Sequence, residues 1–329
     1  MEEVPESYAK HGIEMSYPHL NAHMAKDQVT YYRSDNMSDT NIIGFIGTGV
    51  MGASMAGHLL AAGNEVHVYN RTKERAMPLV GKGAVWEDTP ADVAAKCDVV
   101  FTIVGFPKDV EEVYLGRNGL IENAKAGSVL VDMTTSSPKL ARKIQAAGKK
   151  RGIGVLDAPV TGGDRGAREA TLTIFAGGDK EDFEKVRTYF EIMGRTVKHM
   201  GAAGDGQNAK LGNQIVIAGT MTGMCEALAF AKSCGLNLDE FIEAAGGGSA
   251  ATWSLNNYGP RILKGDFAPG FFVKHYIKDM KLAEEAADEM GLDLPALTIT
   301  RELYEELAEG GYENSGTQAL YCLYDPEEE

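Results

Sequence analysis

The sequence predicts an α/β N-terminal Rossmann-like domain with a mostly parallel sheet, followed by an all-α C-terminal domain. Three observations carry this. From Asn41 to about Gly201, short β-branched runs alternate with longer stretches of helical period, the pattern of a parallel sheet with crossover helices. A glycine-rich turn, Gly47-Thr48-Gly49-Val50-Met51-Gly52, joins the first strand to the first helix. Beyond Gly201 no strand of comparable quality recurs and helical periodicity takes over. The expected division is residues 1–40 as an N-terminal extension, 41–203 as the dinucleotide-binding domain and 204–329 as a helical domain for substrate and assembly.

Residues 42–46 form the first predicted strand. The helix over 49–62 sets Met51, Met55, Leu59 and Leu60 on one face, with Gly63 as its C-terminal cap. Strands follow at 65–69, 99–104, 129–133, 155–158 and 172–176, with a charged helix around Lys73, Glu74 and Arg75. A long helix starts at about Asn208, in the crevice between the domains, where substrates commonly bind. Its uncharged stretch, 211–225, is broken by Gly212, Gly219 and Gly223 and is too short for a membrane span, so it reads as a buried helix. Later helices are separated by Gly246-Gly247-Gly248, a candidate for a mobile segment over the cleft, and by a turn at Asn256-Asn257-Tyr258-Gly259-Pro260. Gly63, Gly148 and Gly194 fit helix caps or loop turns.

Composition narrows the function classes. With 47 acidic against 32 basic residues the net charge is −15, which repels phosphate backbones and disfavours a nucleic-acid role. The four cysteines lack a C-x-x-C spacing, so neither a metal site nor a disulfide framework is expected. The first forty residues are acid-rich, hold Arg33 as their one arginine and contain no apolar run flanked by basic residues, so a cytoplasmic location is expected. His11, His19, His23, Tyr31 and Tyr32 lie there without period, as in a peripheral arm or a disordered extension rather than a metal site. The 39 glycines exceed the usual share of about 7% and point to tight turns and close ligand approach.

The first glycine turn has the context that a dinucleotide fingerprint requires. Gly47 permits the strand-to-helix turn, Gly49 lets the backbone approach a pyrophosphate, and Gly52 allows close helix packing, with the anion at the positive end of the helix. After the second strand comes Asn70-Arg71-Thr72, without the carboxylate that would bind both ribose hydroxyls. The Arg71 guanidinium suits a 2′-phosphate, so NADP(H) is favoured over NAD(H). Asp157-Ala158-Pro159-Val160-Thr161-Gly162-Gly163 reads equally as a plain loop or as a cradle presenting amides and one hydroxyl to a carboxylate.

Four motifs in order, G-F-I-G-T-G-V-M-G at 44–52, D-A-P-V-T-G-G at 157–163, G-x-x-x-K at 206–210 and I-K-D-M-K-L-A at 277–283, resemble the β-hydroxyacid dehydrogenases. That family includes 3-hydroxyisobutyrate dehydrogenase and tartronate and succinic semialdehyde reductases. The resemblance implies Lys210 as catalytic acid/base, with its ammonium disfavoured by desolvation between domains. It implies Thr161, Gly162 and Gly163 as the carboxylate cradle, Asn213 and Gln214 beside the substrate, and Val104, Gly105, Thr135 and Lys278 along the cofactor. Two departures stand out. Gln214 replaces the family's second asparagine, and the proline of the loop after Val104 is displaced to Phe106-Pro107. An imine reductase on the same fold would not be expected to keep Lys210 and Thr161-Gly162-Gly163, and a non-catalytic dinucleotide binder would be expected to lose the lysine. Trp253, Asn256, Tyr258, Lys274, His275 and Tyr276 are candidate selectors, His275 more readily a packing histidine, with Lys274 or Arg261 as a second cation for a dicarboxylate. The glycine-interrupted apolar helix favours a homodimer or homotetramer.

Overall fold

The computed structural model describes residues 41–324; the expected extension, with His11, His19, His23, Tyr31 and Tyr32, lies outside the described residues. The sheet half runs β1 (Ile43–Ile46), α1 (Gly52–Ala61), β2 (Val66–Tyr69), α2 (Met77–Val80), β3 (Val85–Trp86), α3 (Pro90–Lys96), β4 (Val99–Thr102), α4 (Pro107–Leu115), α5 (Leu120–Asn123), β5 (Val129–Asp132), α6 (Pro138–Lys149), β6 (Gly154–Asp157), β7 (Val160–Thr161), α7 (Gly163–Arg168), β8 (Leu172–Gly178), α8 (Lys180–Met193) and β9 (Gly194–Gly201). The helical half is α9 (Asp205–Ser233), α10 (Leu238–Gly246), α11 (Trp253–Ile262), α12 (Val273–Glu289) and α13 (Pro295–Leu307), closed by turns that reach Leu323.

The sheet order is β3-β2-β1-β4-β5-β6-β8-β7, with β9 on β8. Its first six strands are parallel, the doubly wound arrangement of dinucleotide-binding sheets. Each central strand is buried on both faces, which is why it reads as a continuous apolar run. Side-chain alternation divides these runs between two cores. Ile43, Phe45, Phe101 and Val131 pack with Met55 and Leu59 of α1 and with Phe183 and Phe190 of α8. Ile46, Val100, Leu130 and Val155 pack with Val93, Tyr114, Leu120 and Ile144 on the opposite face. Each fully buried apolar side chain contributes about 1.5–3 kcal/mol.

The 29-residue α9 is long and apolar enough to cross a membrane by length and composition alone. Burial accounts for part of that hydropathy, because Leu211, Met221, Met224 and Leu228 form a core with Leu255 and Ile262 of α11, Tyr276 and Met280 of α12, and Tyr304 and Leu307 of α13.

The differences from expectation are local. Residues 256–260 do not turn; α11 runs through them, capped by Thr252 Oγ1 accepting from the Leu255 amide at 3.0 Å. Burial of Ser254, Leu255, Gly259 and Ile262 outweighs the breaker residues there. Gly148 is no cap. It lies inside α6, where a Cβ would meet Val155 of β6. Gly246 ends α10, and its carbonyl accepts from Asn256 Nδ2 at 3.3 Å. The expected helix at Lys73–Arg75 is a single 3₁₀ turn, and β3 and β7 are two-residue strands too short to show alternation.

Candidate active site

Parallel register aligns the strand ends. Tyr69, Ile46, Thr102, Asp132 and Asp157 stand side by side across β2, β1, β4, β5 and β6. The loops that follow them therefore share the carboxyl edge, and the sheet order reverses between β1 and β4, where such sheets bind ligands. Gly47 takes φ +94°, and a Cβ there would overlap the Ile103 carbonyl oxygen. A Cβ on Gly52 would overlap the Gly47 carbonyl oxygen, whereas one on Gly49 would meet nothing within 4 Å. Among the described residues no side chain caps α1, and no acid lies in its first turn, so the positive end of the helix is not neutralised by the chain, a setting that fits a pyrophosphate. Thr48 Oγ1, buried without a hydrogen-bond partner among the described residues, fits a polar ligand there as well. Val50 is exposed, while Met51 packs on the core.

Asn70 is committed to this loop. Its Oδ1 accepts from the Thr48 amide at 3.0 Å and its Nδ2 donates to the Thr72 carbonyl at 2.7 Å. Arg71 is 85% exposed in its side chain, with Asp109 beside it at 3.4 Å. After β4, the Val104 amide donates to Thr134 Oγ1 at 3.0 Å, and Gly105 lies against His275 of α12. The Phe106 ring stacks on His275 with centroids 5.3 Å apart, and burial pushes that imidazole's pKa down, with Lys278 adding to the effect. The displaced Pro107 is the first residue of α4, whose Asp109 accepts from the Phe106 amide at 3.0 Å.

The loop after β5 is held from two sides. Lys278 Nζ donates to the Thr135 carbonyl at 2.5 Å. Gln207 of α9 accepts from the Ser136 amide and donates to the Thr134 carbonyl, both at 2.8 Å. Asp157 seats the start of α9, accepting from the Gly204 and Gln207 amides at 2.8 Å each. Burial pushes the Asp157 carboxyl up to about 6, against the pull of those two amides, and pushes its register neighbour Asp132 up to about 7.

One turn further along α9 lies Lys210, 6% exposed. Its Nζ donates to Gln214 Oε1 at 2.9 Å. Asn213 Nδ2 donates to the same oxygen at 2.9 Å and lies 3.5 Å from Thr161 Oγ1. Gln214 Nε2 donates to Asp279 Oδ2 at 2.7 Å, and Asp279 Oδ1 is 2.8 Å from Lys278 Nζ. Burial brings the Lys210 ammonium down to about 8, with Asp279 opposing and Lys278 reinforcing the shift. A buried amine whose pKa is brought toward neutral pH, linked through Gln214 and Asn213 to a threonine hydroxyl, is suited to general acid/base work.

The extra methylene of Gln214 carries its amide to α12, where the Tyr276 hydroxyl also donates to its backbone carbonyl at 3.1 Å. Gly162 and Gly163 adopt φ +129° and +63° and lead from β7 into α7. Among the candidate selectors, Tyr276 is a buried support, Lys274 Nζ is 2.6 Å from Asn314 Oδ1, and Trp253 and Asn256 are exposed. Half-buried Tyr258 lies edge-on to Trp253, and Arg261 binds Asp266 at 2.8 Å. Sequence reasoning missed Gln207 and Asp279. An amide in the first turn of an apolar helix and an acid inside the I-K-D run were the available signals. Among the described residues no group of three or more His, Cys, Asp or Glu is placed to hold a metal.

Two family models match the chain. Residues 42–201 match the NAD binding domain of 6-phosphogluconate dehydrogenase, and 204–324 match a family described as NAD-binding of NADP-dependent 3-hydroxyisobutyrate dehydrogenase. An uncharacterized oxidoreductase of Bacillus subtilis is 52% identical over 86% of the chain and 98% of its own length. A probable mitochondrial 3-hydroxyisobutyrate dehydrogenase-like protein of Arabidopsis thaliana is 47% identical over 87% of the chain and 86% of its own length. The structure of Mycobacterium tuberculosis 3-hydroxyisobutyrate dehydrogenase with L-serine superposes with a TM-score of 0.80 at 28% identity, covering 87% of this chain and all of that one.

Proposed function

The chain belongs to the β-hydroxyacid dehydrogenase family, whose members are NAD(P)-dependent oxidoreductases, and from that premise we propose that it interconverts a short β-hydroxyacid and its semialdehyde with NADP(H), Lys210 acting as general acid/base. The observation that carries this reading is the network joining Lys210 to Thr161 through Gln214 and Asn213, buried at Lys210 and Gln214 and half-buried at its Thr161 end. Gly47 through Gly52 hold the pyrophosphate, with Val104, Gly105, Thr135 and Lys278 along the rest of the dinucleotide. The sheet half, 41–203, is the cofactor domain, and 204–329 is the domain for substrate and assembly. Exposed Val216 and Phe230 on α9 support a homodimer or homotetramer.

When bound, the reduced nicotinamide supplies a hydride to the carbonyl carbon. The chain's residues do the rest. Thr161 and the amides of Gly162 and Gly163 orient the substrate carboxylate, and Lys210 Nζ gives its proton to the carbonyl oxygen as negative charge develops there. In the reverse direction the neutral amine takes that proton back. Gln214 and Asn213 hold the amine on the Thr161 side.

A substrate panel tests the proposal. With NADPH absorbance as readout, succinic, tartronate and methylmalonate semialdehydes should include at least one good substrate, and a cyclic imine should be inert. Turnover of the imine alone would instead support an imine reductase, and no turnover with NADPH binding intact a non-catalytic binder. Arg71 supports the cofactor preference because it is an exposed cation just past β2, held by a 3.4 Å contact with Asp109, while Asn70 is already committed. Losing a charge-assisted bond of about 1.5–3 kcal/mol, Arg71→Ala should raise KM for NADPH about ten- to a hundredfold. KM for NADH should barely move. An unchanged ratio of the two would overturn the NADP(H) assignment.

A further inference from the structure

We infer that Gln207 is a positioning residue that fixes the nicotinamide-side loop, Thr134 to Ser136, to the helix carrying Lys210. The inference rests on the proposed function for its catalytic meaning and on hydrogen-bond geometry for its existence. Gln207 is fully buried. Its amide pairs with the loop as a neighbouring strand would, Oε1 accepting from the Ser136 amide and Nε2 donating to the Thr134 carbonyl. These two groups flank Thr135, whose own carbonyl is taken by Lys278. The backbone of Gln207 is fixed in turn, because its amide donates to Asp157 at the end of β6. The side chain thus joins residues 71 and 73 positions away to the first turn of α9, three residues before Lys210. The consequence is geometric: the spacing between the group that bears on the cofactor and the group that moves the proton is set through one amide.

An amide is required because the loop offers one donor and one acceptor. A glutamate has the same shape. Its ionised form accepts from Ser136 but sets a second oxygen against the Thr134 carbonyl, whereas its protonated form donates there and restores both bonds. Burial raises such a carboxyl's pKa. Asp157 of β6 contacts position 207 directly, and the other charged groups on the elements around it are Asp132 of β5 beside Asp157, Arg142 of α6 against the Gly204 turn, Lys278 of α12 on the Thr135 carbonyl, and Asp205 and Lys210 on α9 itself.

The test uses the full chain. Gln207→Leu should accelerate hydrogen exchange at the Ser136 amide in the absence of any ligand. It should also lower kcat about a hundredfold, as expected for roughly an ångström of misplacement, with KM for NADPH near the wild-type value. The primary isotope effect with 4-deuterated NADPH should rise as hydride transfer becomes limiting. For Gln207→Glu, kcat relative to wild type at each pH should climb as pH falls. Unchanged Ser136 exchange, or a lowered Tm with kcat and the isotope effect unmoved, overturns the inference. If the leucine variant does not fold, a flat glutamate-to-wild-type ratio across pH overturns it as well. Faster Ser136 exchange in a protein whose wild type turns over no semialdehyde would leave the clamp standing and remove the proposed function.

Discussion

Lys210→Ala is expected to lower kcat for semialdehyde reduction by about 10²- to 10⁴-fold, the usual worth of a positioned proton donor, while NADPH binding is retained. The two effects separate because Lys210 lies on α9 and the glycine turn lies between β1 and α1. The fold should tolerate the change, since Gln214 Oε1 keeps the Asn213 donor and its Nε2 keeps Asp279. A buried ammonium is also removed, which relieves desolvation. The pH dependence follows from the same group. Burial brings its pKa down to about 8, and the proton donor is the ammonium. Reduction should therefore hold below about pH 8 and fall above it, while oxidation, which needs the free amine, should rise through the same range. Steady-state kinetics in both directions check this, with NADPH titration of the alanine variant beside them. Wild-type turnover in that variant would refute the acid/base role.

How much of this site the sequence discloses depends on how local each constraint is. The glycine turn is legible because Gly47 and Gly52 are required by atoms a few residues away, in a strand–turn–helix whose periodicity is itself visible. The alternation of Ile43 and Phe45 against Ile46, and of Phe101 against Val100, assigns the two sheet faces in the same way. Two-residue strands such as Val85–Trp86 carry no period to read. The helix through Asn256–Pro260 is a tertiary outcome, in which burial of Leu255 and Ile262 overrides turn-forming residues. Gln207 and Asp279 are harder still. Their partners are 71 and 65 residues away, so only the folded chain shows that one ties the loop after β5 to α9 and the other orients the Gln214 amide.

Gly52→Ala and Gly49→Ala should fail in opposite ways, and the contrast isolates cofactor binding from folding. At Gly52 a Cβ would overlap the Gly47 carbonyl oxygen and crowd Ile103, backbone and β-branched neighbours that cannot simply swing aside. Forcing an atom into such a site typically costs about 1–3 kcal/mol, and a backbone clash at the top of that range or beyond. A lowered Tm is the expected result, with NADPH affinity lost along with it. At Gly49 a Cβ would meet nothing within 4 Å, and the residue does not adopt positive φ. The fold gives no reason for glycine there. An approaching pyrophosphate does, because it needs the backbone amide bare at the uncapped start of α1. Gly49→Ala should therefore keep the wild-type Tm without ligand yet lose most of the Tm gain on adding NADPH, since a bound ligand at free concentration L stabilises by RT ln(1 + L/Kd) and that gain vanishes once Kd exceeds the NADPH concentration. Differential scanning fluorimetry with and without NADPH reads both variants. A Gly49→Ala protein stabilised by NADPH as fully as wild type would show that the opening above Gly49 is not where the dinucleotide phosphates lie.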